Sequence, residues 1–400
     1  MIIKNGIVLS PFEVLRETDV IIKDGIIVSL GNADIRYEDD AKIVDASGCY
    51  VCPGLVDMHT HGGGGGDFMD ATEDSFSRAL KFHVSNGTTS LVASSVTAPI
   101  DQILDMLKVV RKFKDAKEPI CRILGAHLEG PFLSEERKGA HKSEYLLTPE
   151  ADGYGFITDN SDVILNVTLS PELPGVIELT KELVRLGIVV SAGHDDSKKS
   201  EIMPVIDAGL TNLTHIFCAM STVAMRDGIR SVGLTEIGLI DDRLSVELIA
   251  DNHHLPPELV KLAYRCKGPR KACVVSDSLR AGGMPSDGAI YILGATNDIN
   301  AQRFKVVGDV AILLDESRYA GSIQPISRMV KNLVNDCKIP LLDAICMASY
   351  TPAKIIQRED AIGSISPGKL ADFCILDSNL NVVKTIISGE IVFNNQKGGN

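Results

Sequence analysis

Two hydrophobic rhythms run along the chain. Near the start, "DVIIKDGIIVSLG" sets Asp24-Gly25 between two apolar runs. A two-residue turn with positive φ at both positions selects that dipeptide, so the segment predicts a β-hairpin. Near the end, "KLADFCILD" and "VVKTIISGEIVFN" read as strands, the second folded at Ser388-Gly389. Both ends therefore predict parts of one small β domain, 1–50 together with 356–400. Between them, 51–355 changes to strand-then-helix alternation. Apolar strands are read at 51–59, 90–94, 122–129, 163–169, 188–193, 212–215, 244–250 and 272–276. Helical periodicity separates several of them, as at 73–85, 102–112 and 175–186. Eight parallel-type strands with intervening helices predict an α/β fold, a (β/α)8 TIM barrel. "RAGGMPSDGAI" through "GDVAILLDESRY" follows the eighth strand and predicts a long active-site loop with its own hairpin. The terminal "NQKGGN" is expected to fray.

Composition narrows the function more than the fold. Four hundred residues exceed one ordinary core, in keeping with a large barrel plus a second unit. A net charge of −13 argues against nucleic acid or an anionic membrane as partner, since both call for a basic field. A small phosphorylated substrate stays open, because a few local donors act at short range. Nine cysteines lie scattered without a framework, and the lone Cys49-x-x-Cys52 reads as plain buried thiols; a reducing, cytoplasmic setting fits best. "MIIKNGIVLS" lacks a charged segment followed by a long apolar one, so no signal peptide is expected.

The polar residues that interrupt the apolar strands carry the chemistry. His59-x-His61 ends the first strand, His127-x-Glu129 the third, and His194 the fifth; His215 ends the sixth and Asp277 the eighth. Barrel enzymes act at the C-terminal ends of their strands, so one rim collects five contributions. Residues i and i+2 of a strand share a face, which lets His59 and His61 point inward together. Imidazoles and carboxylates suit zinc or a similar divalent ion. Five consecutive glycines follow in "VDMHTHGGGGGDFMD". No Lys-Ser/Thr succeeds them, so a phosphate loop is rejected. They are expected to form bare backbone that a ligand or metal can approach closely.

With those residues in place, "PGLVDMHTHGGGGGDFMD", "HLEGPFLSEERKGAH", "SAGHDD", "THIFCAMS", "ADNHHL", "VVSDS" and "GSISPGKLADFCILD" together resemble the N-acetylglucosamine-6-phosphate deacetylases of the amidohydrolase superfamily. The likeness runs in order along nearly the whole chain. It implies a barrel with a small β-sandwich built from both termini, a homodimer, and a hydrolase dependent on one or two divalent ions (zinc first, with iron, manganese or nickel as alternatives) that removes acetate from N-acetylglucosamine 6-phosphate in amino-sugar catabolism. It implies Glu129, His194 and His215 as principal metal ligands, with His59 and His61 holding a second ion and Glu129 bridging. Asp277 becomes the catalytic acid/base at the metal, and His141 the group on the amide carbonyl. Substrate contacts follow at Ala140, His141, Cys218, Ala219, His254, Tyr319, Ala320 and Gly321, and at Arg226, which the likeness sends across the dimer. Cys218 departs from the family's usual asparagine and lacks an amide's donors and acceptor. Rival readings are a deacetylase of the galactosamine epimer, a D-amino-acid deacylase, a nucleobase aminohydrolase, and a non-catalytic scaffold.

Overall fold

In the computed structural model, residues 1–16, 18–31, 42–116, 120–226, 228–286 and 288–395 are described, the side chain of Arg226 excepted. Eight parallel strands form the central sheet: Leu55–Thr60, Thr88–Ser95, Arg122–Glu129, Ile164–Leu169, Val189–Ala192, Asn212–Leu213, Ser245–Leu248 and Ala272–Val274. They neighbour one another in chain order. Backbone bonds beyond the ladder draw the two outer strands together: Asp277 N donates to His59 O at 2.9 Å, and His61 N to Ser278 O at 2.9 Å. The sheet is thus a TIM barrel. Its strands are buried on both faces, which is why they read as continuous apolar runs rather than alternating ones.

The helices bury the stripe that the sequence period marks. Helix Glu73–Ser85 starts at Thr72, whose hydroxyl accepts from Ser75 N at 3.2 Å. It buries Phe76, Ala79, Leu80, His83 and Val84, the i, i+3, i+4, i+7, i+8 set. Ile100–Lys114 buries Ile103, Met106, Leu107 and Val110; Val176–Arg185 buries Val176, Leu179, Thr180 and Leu183. Each fully buried side chain of this size contributes about 1.5–3 kcal/mol.

Two further sheets are built from the chain ends. One pairs Val20–Lys23 and Ile26–Leu30 with Ile2–Lys4 and Ile43–Asp45. The other joins Ile7–Ser10, Glu13–Leu15 and Tyr50–Pro53 to Phe373–Leu376, Val382–Ile387 and Glu390–Asn394. Ile3, Val20, Ile27, Val51, Phe373 and Ile386 share their core. Both expected turns form with positive φ throughout: 51° and 76° at Asp24-Gly25, 49° and 77° at Ser388-Gly389. Their tips meet on Ala371, whose N donates to Gly25 O while its O accepts from Gly389 N.

Three expectations change. The single strand at 51–59 is two strands in two sheets, Tyr50–Pro53 among the strands of the chain ends and Leu55–Thr60 in the barrel, and the chain crosses between them at Gly54. An added Cβ on Gly54 would meet Thr89 Oγ1 at 2.0 Å. The loop after the eighth strand carries more than a hairpin: Ile290–Ile292, Arg303–Val307, Val310–Leu313 and Tyr319–Gly321 form a four-stranded antiparallel sheet. Of the pair expected as buried thiols, Cys52 is fully buried, opposite Cys374 in the ladder, but Cys49 is only half-buried; all nine cysteines are free. The 396–400 part of the terminal segment expected to fray, and Asp287 of the long loop, lie outside the described residues. Among the described residues no helix is long and apolar enough to cross a membrane.

Because Gly54 is a packing position between two sheets, Gly54→Ala is expected to lower stability by about 1–3 kcal/mol through overpacking. Urea denaturation followed by circular dichroism checks it; an unchanged midpoint would mean that Thr89 moves aside freely.

Candidate metal centre and pocket

Three of the polar residues at strand ends sit in the left-handed region: His194 at φ 49°, His215 at φ 28° and Asp277 at φ 46°. Non-glycine residues adopt such angles at a cost of order 1–3 kcal/mol each, and they persist where the surroundings demand them. Here the bends follow Val189–Ala192, Asn212–Leu213 and Ala272–Val274, where each strand gives way to its loop.

The side chains then converge. His194 Nε2 lies 3.2 Å from Glu129 Oε1, His215 Nε2 lies 3.0 Å from the same oxygen, and the two nitrogens are 3.1 Å apart. On the other carboxylate oxygen, His61 Nε2 is at 3.2 Å and His59 Nε2 at 3.6 Å. Asp277 Oδ1 is 3.0 Å from His61 Nε2 and 3.5 Å from His59 Nε2. Glu129 is therefore shared between two clusters, and it is buried. Burial would raise its pKa, but the imidazoles around it hold it well below the usual carboxylate range.

Hydrogen bonding identifies which nitrogens are free to ligate. His194 Nδ1 is 2.9 Å from Arg137 O; a carbonyl only accepts, so that nitrogen carries hydrogen and Nε2 of the neutral ring presents a lone pair. His59 Nε2 is fully buried with no hydrogen-bond partner. The lone pair of His194 Nε2 faces Glu129 Oε1 at 3.2 Å with no hydrogen between them, a contact that a cation relieves, so the donor set fits a divalent ion. Two groups sharing Glu129 have the spacing for one: His59 and His61 with Glu129, and His141 and His194 with Glu129.

Above this floor opens a cavity of about 360 Å³. His61, Glu129, His194, His215 and Asp277 line it, as do Ala140, His141, Cys218, Ala219, His254, Tyr319, Ala320 and Gly321. His141 Nδ1 accepts from Thr97 N at 3.2 Å, so Nε2 carries the hydrogen, 3.5 Å from Glu129 Oε2. Burial lowers its pKa to about 4, which keeps the ring neutral. His254 differs. Burial opposes its charge, yet Nδ1 bonds Asp251 Oδ2 at 2.8 Å and the net shift is upward. Burial pushes the Cys218 thiol up to about 12, with Asp277 and Asp251 adding to the shift.

His59 is the one predicted ligand that lies below the cavity rather than on its wall, 0 % exposed. Arg226 ends a hairpin, Ala224–Arg226 against Ile229–Ser231, and its side chain is outside the described residues. The glycine run serves a different purpose from the one expected. An added Cβ on Gly62 would meet Gly66 O at 2.1 Å, on Gly63 Phe82 Cδ1 at 2.2 Å, and on Gly66 Ser75 O at 2.1 Å. The glycines let backbone pack on helix Glu73–Ser85, not on a ligand, and none of them lines the cavity.

Sequence reading passed over several participants. Glu247, fully buried on the seventh strand, bonds His59 Nδ1 at 3.1 Å. A lone acid inside the apolar run "SVELIAD" was the available signal. Thr97 and Asp251 set the tautomers of His141 and His254. Arg318 reaches the cavity wall from the inserted sheet, with Nη1 3.4 Å from Gly139 O; nothing in its local sequence marks it.

Comparison with known proteins agrees with this geometry. The sequence profile of the amidohydrolase family matches residues 50–392. An N-acetylglucosamine-6-phosphate deacetylase of Vibrio furnissii is 35% identical over 347 residues, 86% of this chain and 83% of the relative. An N-acetylgalactosamine-6-phosphate deacetylase of Escherichia coli O157:H7 is 30% identical, covering 92% and 93%. A solved mutant of the Mycobacterium smegmatis N-acetyl-D-glucosamine-6-phosphate deacetylase, in complex with N-acetyl-D-glucosamine-6-phosphate, superposes with a TM-score of 0.88 at 30% identity, covering 98% and 99%. A barrel whose strand ends gather imidazoles and carboxylates around one shared glutamate, matched along most of its length, places the chain in the amidohydrolase family.

Proposed function

We propose that this chain is a divalent-metal-dependent hydrolase that converts N-acetylglucosamine 6-phosphate to glucosamine 6-phosphate and acetate, in amino-sugar catabolism. One observation carries the reading: the imidazoles of His61, His194 and His215 meet Glu129 and Asp277 at the floor of a cavity whose wall holds a neutral His141 and a His254 of raised pKa. The substrate is the one on which the Vibrio relative is named to act.

In this reading Glu129, His194 and His215 hold one ion, and His59, His61, Asp277 and the shared Glu129 hold a second. Nitrogen and carboxylate donors suit zinc first, then iron, manganese or nickel. When bound, the cation supplies a water of pKa near 7 instead of 15.7 and a Lewis acid for the acetamide carbonyl. Asp277 takes the proton of the attacking water and passes it to the departing amine, so that the C–N bond breaks to a neutral leaving group. His141 donates Nε2–H to the carbonyl oxygen as its negative charge grows. His254, whose charged form the bond to Asp251 favours, meets the phosphate dianion, with Arg226 from a second copy of the chain. Ala140, Cys218, Ala219, Tyr319, Ala320 and Gly321 enclose the sugar.

The second copy rests on the hairpin that bears Arg226. Met225 and Ile229 on it are 62% and 72% exposed, apolar surface that fits a homodimer. Nine unpaired thiols fit the reducing cytoplasm. The boundaries 1–50 plus 356–400 and 51–355 divide the sandwich from the catalytic barrel in this proposal.

Acetate release from a panel of 6-phosphorylated N-acetylhexosamines tests the activity. The glucosamine compound is expected to be the best substrate, with loss after dialysis against a chelator and recovery on adding zinc; ammonia instead of acetate would overturn the reading. Asp277→Asn is expected to lower kcat by about 10²–10⁴ with little change in KM. Retention of more than about a tenth of the turnover would remove Asp277 from the proton transfer. Iodoacetamide at neutral pH is expected to label exposed Cys266 and spare Cys218, whose thiol stays protonated. Mass spectrometry reads the outcome, and an early adduct at Cys218 would show an activated thiol in the pocket.

A further inference from the structure

Glu247 is the one acid on the seventh barrel strand, Ser245–Leu248, and is 0 % exposed. Its carboxylate accepts from three directions. Asn212 Nδ2 donates to Oε1 at 2.8 Å, His59 Nδ1 donates to Oε2 at 3.1 Å, and the backbone N of His215 approaches Oε2 at 3.3 Å. Asn212 is itself held, since its Nδ2 lies 2.9 Å from Ser191 Oγ, which lies 2.7 Å from Asn166 Oδ1. This chain of polar contacts crosses the barrel floor from the fourth strand to the seventh and ends on His59.

The direction of the His59 bond has a consequence. Both oxygens of Glu247 already accept from N–H groups, Oε1 from Asn212 and Oε2 from the backbone of His215, so the carboxylate is an acceptor here and Nδ1 of His59 is the donor. In the neutral ring, Nε2 is then a lone pair, and it faces Glu129 Oε2 at 3.6 Å and Asp277 Oδ1 at 3.5 Å. With Nδ1 unbonded, either tautomer and either ring orientation is open; with Glu247 in place only one is. The neighbouring His61 has no such anchor: its Nδ1 is buried without a partner. His61 thus depends on its contacts with Glu129 and Asp277, and the more rigid half of the pair is His59.

We propose that Glu247 is the positioning residue that makes His59 and His61 a metal-holding pair, so that this chain carries a second ion whose retention depends on Glu247 while the ion at Glu129, His194 and His215 does not. The inference rests on the metal-dependent reading above and deepens it. Carboxylates that orient a ligating histidine in this way typically change metal affinity 10–100-fold when removed. Glutamine in place of Glu247 carries no charge and has one oxygen for three donors, so it keeps a bond to His59 Nδ1 only by turning its amide hydrogens on Asn212.

Elemental analysis of the purified protein and of Glu247→Gln, with chelator titrations of both, tests it without recourse to turnover. The parent is expected to hold two ions. Glu247→Gln is expected to hold one and to bind the second about 10–100-fold more weakly, matching His59→Gln. The double variant should then be no weaker than either single one. Two ions of unchanged affinity in Glu247→Gln would overturn the inference and leave the hydrolase reading standing, as would a parent that binds one ion only. Loss of both ions together would also overturn it, by making Glu247 a general support. A parent that binds no ion and releases no acetate would bring down the hydrolase reading itself. Should Glu247→Gln fail to fold, Asn212→Ser removes one support from Oε1 and is judged by the same loss of the weaker ion.

Discussion

One buried carboxylate organises the site. Glu129 stands within 3.6 Å of five imidazoles: His59, His61, His141, His194 and His215. A charge removed from water this completely is costly unless it is compensated at close range. The five imidazoles come from the ends of strands one, five and six and from the loop after strand three. Every strand end must therefore stop at one depth for the carboxylate to be tolerated, and the barrel supplies that common depth.

Closure of the barrel follows from the same requirement. The first and eighth strands carry His59, His61 and Asp277, and it is at these residues that the backbone bonds between the two strands occur. The side chain of Asp57 reinforces the seam, with Oδ1 3.1 Å from Ser276 N. The meeting of the imidazoles with the carboxylates and the closure of the barrel are thus set by the same few residues. The left-handed angles at His194, His215 and Asp277 are the strained backbone that goes with that arrangement.

The surrounding loops add specificity. The loop after the third strand brings His141, the loop after the seventh brings His254, and the antiparallel sheet inserted after the eighth brings Arg318, Tyr319 and Ala320 to the cavity wall. Each imidazole here is set by a neighbour of fixed hydrogen-bonding sense: Thr97 N–H makes Nδ1 of His141 an acceptor, and Asp251 makes Nδ1 of His254 a donor. Two rings of identical chemistry thereby end with opposite electrical character, one neutral and one inclined to charge.

Local pattern was enough for much of this. Helices at 73–85 and 175–186, both two-residue turns and the barrel strands are legible because burial of a stripe or a face imposes its period on the sequence. His59, His61, Glu129, His194, His215 and Asp277 are legible because polar residues at the ends of apolar strands have few other reasons to be there. What depends on contact across the fold is not legible. The glycines after His61 have their reason in Phe82 and Ser75 O, the break at Gly54 in Thr89, and the importance of Glu247 in a histidine far away in sequence. Composition and spacing specify which groups each strand delivers; only the closed barrel decides which of those groups meet, because a steric or hydrogen-bonding partner distant along the chain leaves no trace in local periodicity.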